Sequence, residues 1–451
     1  MRGKGKQRIY LYNIRKHNKR LRRKRRLKKK RNASLYSASG AYKEPFKENE
    51  NKKVIRHLNK KKFAETNMLH IAKEHENIVI PEIFSMSDSP EIAINVLKNI
   101  YKLAMQDRTK ELNFDHRLCR VLGLSASTIM DIIILAVDEY RDKSGMPLDM
   151  MGEYPVDKST RDILFASGLP YHLNAESNID YCQGKIERFE TIKGLHNDTG
   201  VDSGRIATDL TMYFNKCLRT QSFELNEDGL TMFSSILGEV VNNCEIHGGS
   251  EAVWYIQGHY QIDEGKDYGE MQLVFLNFGD TIYEGLKNSP SKETVQKLNT
   301  MTKAHRKYFD SSWNEETLFT VLALQDGISR LRTNKIAGYT TRGSGTVNMI
   351  EKFGLIGGSE NGLKPEMSIV SGRTWIRFNE YYKMKSMIFR NDPVFGSGER
   401  KIIAFNDEND IYMPSNSDNV IFMKNYFPGT VISLKFYLDS RYINKMKGNK
   451  V

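Results

Sequence analysis

The stretch Glu239-Val240-Val241-Asn242-Asn243-Cys244-Glu245-Ile246-His247-Gly248 decides the reading of this chain. Glu239, Asn243 and His247 stand four and eight residues apart. An α-helix turns about 100° per residue, so steps of four place all three on one stripe. Gly248-Gly249 marks the end of that helix. A carboxylate on the stripe can orient and deprotonate a water. An amide oxygen one turn on can ligate a hard cation such as Mg²⁺. Glu, Asn and His on one helical face also describe an ordinary solvated surface, so the weight falls on what flanks them.

The chain has 451 residues, enough for two or three domains with their own cores. Its 39% hydrophobic and 27% charged content is that of a soluble globular protein. The longest apolar candidate, Ile129–Val137, is short and broken by Asp131, so it reads as a buried helix and no membrane association is expected. The basic start is not followed by an apolar core, so no signal peptide is expected either. Cys119, Cys182, Cys217 and Cys244 are scattered with no CxxC spacing. They read as reduced thiols of a cytoplasmic protein, not as a zinc or redox site.

The net charge of +13 belongs to one end. Residues 1–31 hold 17 Lys or Arg and no acid, which leaves 51 basic against 55 acidic residues in the body. Such a run repels itself, so residues 1–34 are expected to be a disordered arm. Many phosphate contacts would give it salt-sensitive, sequence-blind binding to nucleic acid, with Tyr10 and Tyr12 able to stack on bases. A solvated tail or a transit peptide would have the same composition. Residues 35–75 are polar and rich in Lys and Asn, and read as a linker.

From residue 76 strands and helices alternate, which argues an α/β layer. A strand over Ile78–Phe84 precedes a helix over Pro90–Met105, with Ser89 as N-cap and proline in the first turn. A strand at Glu111–Phe114 leads to Ser125-Ala126-Ser127, read as capping the apolar helix Thr128–Tyr140. A strand within Met146–Tyr154 and a helix over Ser159–Ala166, ending at Ser167-Gly168-Leu169, complete the order. This order resembles the STAS domain over 76–185. In phosphorylated STAS proteins a serine at that helix start is a kinase target, and Ser125 and Ser127 occupy the matching place.

In the second half, Gly204–Thr220 and Asp228–Ile236 have helical spacing. Ala252–Gly258 and Met271–Asn277 read as paired strands around a turn at Asp263–Gly269. The second strand runs into Asn277-Phe278-Gly279-Asp280-Thr281, where Gly279 permits close backbone approach. Residues 283–341 are polar and read as a mobile lid, with helices at Ser291–Tyr308 and Glu316–Leu331. Then Thr341-Arg342-Gly343-Ser344-Gly345 opens a helix. Bare amides at a helix N-terminus, with an arginine fork beside them, suit phosphate. Met367–Val370, Thr374–Phe378 and Lys401–Phe405 supply strands, and Gly429-Thr430 feeds the last, Val431–Phe436. Residues 385–425 read as an insertion, and 442–451 as a tail.

The stretch at 239–248 resembles the N-box of the GHKL (Bergerat-fold) ATPases, and most of all that of the anti-sigma-factor kinases. The segments at 277–281, 341–346 and 429–430 are similar to the family's glycine boxes and follow in the family's order. The resemblance implies an α/β sandwich over 186–441, a mixed sheet with helices on one face, and ATP and Mg²⁺ as cofactors. It implies Glu239 as the catalytic base and Asn243 as the Mg²⁺ ligand, with His247 a supporting charge at the helix end. Asn277 and Gly279 would meet the base, Arg342, Gly343 and Gly345 the phosphates, and Thr430 the adenine through water. In the family the residue at 277 is an acid and that at 281 a glycine; here an amide oxygen could still accept from the adenine amine. Asp280 falls one residue late, and Asp326-Gly327 lies in a helical pattern, so neither is read as the missing acid. Three functions fit: a slowly ATP-hydrolysing regulatory switch, a serine protein kinase acting on a STAS serine such as Ser125 or Ser127, or a non-catalytic ATP-binding adaptor. A homodimer or protein partner would dock through the STAS-like domain.

Overall fold

The computed structural model describes residues 11–13, 50–65, 73–172, 186–195, 203–263, 265–329, 345–353 and 358–448. Cys182, Arg342, Gly343 and most of the basic arm lie outside them. The protein is a mixture of helices and several sheets, in two compact units, 1–186 and 187–451.

The first unit is built on a four-stranded sheet of order β1-β6-β4-β2. Strands β2 (His75–Val79), β4 (Glu111–Asp115) and β6 (Asp149–Glu153) run parallel, which requires a crossover between each pair. Helices Pro90–Ala104 and Leu124–Lys143 are those crossovers. The expected strand 78–84 is two, because Pro81 interrupts the ladder: β3 (Ile83–Phe84) pairs instead with β5 (Val121–Leu122). Strand β1 (Leu11–Asn13) pairs antiparallel with β6, so at these residues the arm is ordered. The expected linker also contains a helix, Glu50–Lys60, which buries Val54, Ile55 and Leu58. It is tied down by Asn51 Nδ2 donating to Glu139 Oε2 at 2.6 Å and Tyr101 Oη donating to Asn59 Oδ1 at 2.8 Å.

Ser89 stands at the N-cap as expected, with Pro90 in the first turn, but its side chain makes no capping bond and donates to Ile83 O at 3.0 Å. The expected caps Ser125 and Ser127 differ. Helix Leu124–Lys143 begins four residues early, with Gly123 as its N-cap. Gly123 sits against Ser85, where a β-carbon would stand 2.8 Å from Ser85 Oγ. Ser125 and Ser127 therefore lie inside the helix and are buried, not capping. Where the helix ends, Arg141 turns inward and its guanidinium donates to the carbonyls of Ala104, Gln106, Thr109 and Met146 at 2.8–2.9 Å. One side chain thereby satisfies the end of the preceding helix and both adjoining loops.

The second unit carries a five-stranded sheet of order β10-β13-β9-β8-β7. Its strands are β7 (Ile186–Leu195), β8 (Val253–Gln261), β9 (Tyr268–Phe278), β10 (Glu366–Phe378) and β13 (Val420–Asp439). The β10/β13, β13/β9 and β9/β8 pairings are antiparallel. The two expected strands 367–370 and 374–378 are one, bent by a bulge at Gly372 with φ +61°. The insertion contains a hairpin, β11 (Lys385–Asp392) with β12 (Gly396–Ile402).

One sheet face buries Ile256, Tyr260, Met271, Leu273, Phe275, Ile369, Leu434 and Phe436. Helices Ser203–Arg219 and Glu227–His247 cover it with Leu210, Phe214, Phe233, Leu237 and Val241. The expected helix at 228–236 and the Glu239 stretch are one 21-residue helix, started by Asn226 Oδ1 accepting from Gly229 N. The expected lid is partly core: helices Ile282–Lys287, Lys292–His305 and Glu315–Leu322 insert Leu286, Leu298, Met301, Leu318, Phe319 and Leu322. The apolar residues of this segment were too evenly spread among polar ones for their burial to be read from composition.

Candidate functional site

The long helix Glu227–His247 carries Glu239 and Asn243, which stand one turn apart and line one cleft. Its C-terminus is fixed by backbone contact. Gly248 O accepts from Asp280 N at 2.7 Å, so the loop after β9 closes the helix end. This approach requires glycines. A β-carbon on Gly279 would lie 2.2 Å from Gly248 O, and one on Gly249, at φ +83°, 2.6 Å from Asp280 Oδ2. Gly279 is thus needed for the joint between helix and loop. It is not among the residues that line the cleft.

Antiparallel register carries the rest. Ser371, Thr430, Asn277 and Trp254 are opposite one another on four neighbouring strands, so they form one row on the core face. The next row, Ile369, Ile432, Phe275 and Ile256, is apolar. The polar row is held by short-range bonds. Ser371 Oγ and Thr430 Oγ1 are 2.8 Å apart, Ile282 N donates to Ser371 Oγ at 2.8 Å, and Thr430 N donates to Asn277 Oδ1 at 3.3 Å. Thr281, in place of a second glycine, caps helix Ile282–Lys287 in a reciprocal box with Glu284.

These parts enclose a cleft of about 970 Å³, counting the open space at its mouth. Polar groups at Glu239, Asn243, Asn277, Asp280, Thr346 and Thr430 face it. Its walls are apolar, supplied by Leu286, Leu324, Ile328, Ile369 and Ile432. An apolar slot with a few placed polar groups is the common form of a small-molecule site. Asn243 Nδ2 donates to Thr346 Oγ1 at 3.2 Å, which leaves Oδ1 as the atom with lone pairs for a cation. Burial pushes the Glu239 carboxyl above its ordinary range. Among the described residues no cluster of three His, Cys, Asp or Glu could hold a metal ion.

Of the sequence-derived residues, Glu239, Asn243, Asn277 and Thr430 converge on this cleft. Gly345 begins helix Gly345–Phe353, whose second residue, Thr346, lines it. Arg342 and Gly343 lie outside the described residues, as does the side chain of His247. Asp280 and Thr346 were missed. Asp280 had been set aside on spacing alone, but the bond from its own N–H to Gly248 O turns the loop so that it reaches the cleft. Thr346 could have been found as the hydroxyl residue following the glycine run. A second groove of about 980 Å³ lies between the long helix and helix Gly345–Phe353, and Glu239 borders it too.

Among the described residues no helix is long and apolar enough to cross a membrane. Cys119, Cys217 and Cys244 are free thiols and buried. Compared with known proteins, the chain matches no protein-family model, no curated protein and no solved structure.

Proposed function

We propose that the second unit is a GHKL-type nucleotide-binding domain and that the protein is an Mg²⁺-dependent, slowly hydrolysing nucleoside-triphosphate switch, with ATP the nucleotide the resemblance implies. The first unit is then the STAS-like partner-binding domain. One observation carries the reading: Glu239, Asn243, Asn277, Thr346 and Thr430, which span nearly 200 residues of chain and four separate elements, line a single cleft. Convergence of that kind is not expected of a solvated helical stripe.

In this reading Glu239 accepts the proton of the attacking water, and its raised affinity for protons suits that task. The Asn243 oxygen holds the cation, whose charge offsets that of the phosphates. The first N–H groups of helix Gly345–Phe353, which have no acceptor within the helix, meet the phosphates. Asn277 and Thr430 meet the base, which lies between the isoleucine walls.

The kinase alternative loses its internal acceptor, since Ser125 and Ser127 are 3% and 0% exposed. Incubation with γ-labelled ATP tests the choice. Free phosphate released by the native chain and lost in Glu239→Gln, with nucleotide still retained, is the expected result. Label that stays on protein would favour a kinase acting on another chain, and nucleotide retained without either product an adaptor. Failure of the native chain to retain any nucleotide at millimolar concentration would refute the proposal. The arm of residues 1–34 is proposed to contact nucleic acid, and its deletion is expected to abolish salt-dependent retention on DNA or RNA.

A further inference from the structure

We infer that the cleft selects a purine by a keto oxygen at position six, so that inosine and guanosine triphosphates bind in preference to ATP. This rests on the nucleotide reading above and names the base that the same site takes.

The argument turns on one atom. Thr430 N–H donates to Asn277 Oδ1 at 3.3 Å. A backbone N–H is only a donor, so this bond fixes which end of the amide faces the sheet: the oxygen is turned to Thr430. The other end, Nδ2, donates to no described residue, and Asn277 lines the cleft. The end of the amide that the sheet does not take up is therefore an N–H donor. Adenine carries an amine at position six and a bare ring nitrogen beside it. Its amine would meet Nδ2 donor to donor. A 6-oxo purine carries a carbonyl there, which accepts.

Turning the amide round does not rescue adenine. Nδ2 would then face Thr430 N–H, donor to donor, and the bond between them would be lost at a buried residue. Nor is Thr430 free to move. It is held across the sheet opposite both Asn277 and Ser371, with its hydroxyl 2.8 Å from Ser371 Oγ. Asp280 adds a second match. Asp280 lines the same cleft, and the ring N–H that accompanies a 6-keto group is a donor from which a carboxylate can accept. The adenine ring nitrogen at that place is an acceptor and gains nothing from it.

The test is equilibrium binding to the full chain with Mg²⁺, using ITP, GTP, ATP and purine riboside triphosphate, which has only hydrogen at position six. ITP and GTP are expected to bind at least about tenfold more tightly than ATP, the cost of one opposed hydrogen-bonding pair. ITP should also exceed purine riboside triphosphate. Asn277→Asp keeps the oxygen for Thr430 N–H and replaces Nδ2 with an acceptor, so it should shift the preference towards ATP by a similar factor. ATP binding more tightly than ITP would overturn the inference and leave the nucleotide site standing. No binding by any of the four would overturn both. An Asn277→Asp chain that melts like the native one and still prefers ITP would show that the selection lies elsewhere. If that variant does not fold, the comparison of ITP with purine riboside triphosphate on the native chain decides alone, and equal affinities would refute the inference.

Discussion

Gly279→Ala is expected to destabilise the second unit by about 2–3 kcal/mol, through packing and not through loss of a ligand contact. The added methyl group would lie 2.2 Å from Gly248 O and 2.8 Å from Ala252 Cβ. The first of these is backbone, which cannot swing aside as a side chain can. Loop and helix end must separate, which weakens the bond from Asp280 N to Gly248 O. Overpacking of this kind costs roughly 1–3 kcal/mol and the bond roughly another 1. The alanine returns about 0.4–1 kcal/mol by restricting the unfolded chain, since φ at 279 is not positive. Gly238→Ala is the control. It sits inside the long helix, where the new β-carbon would meet Ala207 Cβ at 3.6 Å, an ordinary contact. That variant should be neutral or more stable, because glycine is a poor helix former. The three tryptophans, Trp254, Trp313 and Trp375, all lie in the second unit, so urea unfolding followed by their fluorescence reports on it. Equal unfolding midpoints for Gly279→Ala and the native chain, or a loss in Gly238→Ala as large as in Gly279→Ala, would refute the reasoning.

Other consequences are as direct. Arg141→Met should cost the first unit roughly 3 kcal/mol or more, because the carbonyls of Ala104, Gln106, Thr109 and Met146 lose their donor, and a melting temperature within a degree or two of native would contradict it. His116 and His259 are buried, and burial pulls each pKa down to about 4. Their neutral forms are the folded ones, so stability is complete above the unfolded pKa of about 6.5 and falls as pH drops towards 4, by roughly 3 kcal/mol for each histidine. Urea midpoints that stay flat between those pH values would contradict that sign. Trp313→Phe should lower stability by about 1 kcal/mol, since Trp313 Nε1 donates to His305 Nδ1 at 3.2 Å while His305 Nε2 donates to Ile411 O, and an unchanged urea midpoint would show this relay to be idle.

Much of the fold was legible where local chemistry is decisive. The helix at Ser291–Tyr308 is found at Lys292–His305 followed by a turn of 3₁₀-helix, because Ser291 caps it as a serine in that position should. Helix Ser203–Arg219 follows its apolar period, and strands β8 and β9 pair around the turn their flanking Gly and Asp residues mark. The errors came where a long-range partner overrides local preference. Helix Glu50–Lys60 has a sparse apolar face, which becomes helical surface only because Asn59 and Asn51 find partners in the two crossover helices. Ser125 and Ser127 look like caps until Gly123, pressed against Ser85, takes the helix start from them. In the site, Glu239 and Asn243 were legible because helical spacing alone sets them together. Asp280 was not, because its position depends on a backbone bond to a residue more than thirty positions away.

The same dependence explains why the cleft lies where it does. The core face of the sheet is apolar row after row, from Met271 and Phe436 to Phe275 and Ile432, and turns polar only at the last row, Ser371, Thr430 and Asn277. Those groups are buried, so each must find a partner, and they find one another. Only the outward ends of the row are left for anything that enters. The cleft is therefore the end of the core, and its side walls are core residues that also hold the unit together. Leu286 and Ile328 stand in the wall and in the packed cluster at once. Helices Ile282–Lys287 and Glu315–Leu322 cannot swing open without exposing Leu286, Leu318, Phe319 and Leu322, at about 1.5–3 kcal/mol for each side chain. The polar atoms at the mouth of this slot are already oriented by one another, as in the bond from Asn243 Nδ2 to Thr346 Oγ1 at 3.2 Å, and preorganisation of that kind lowers the cost of binding.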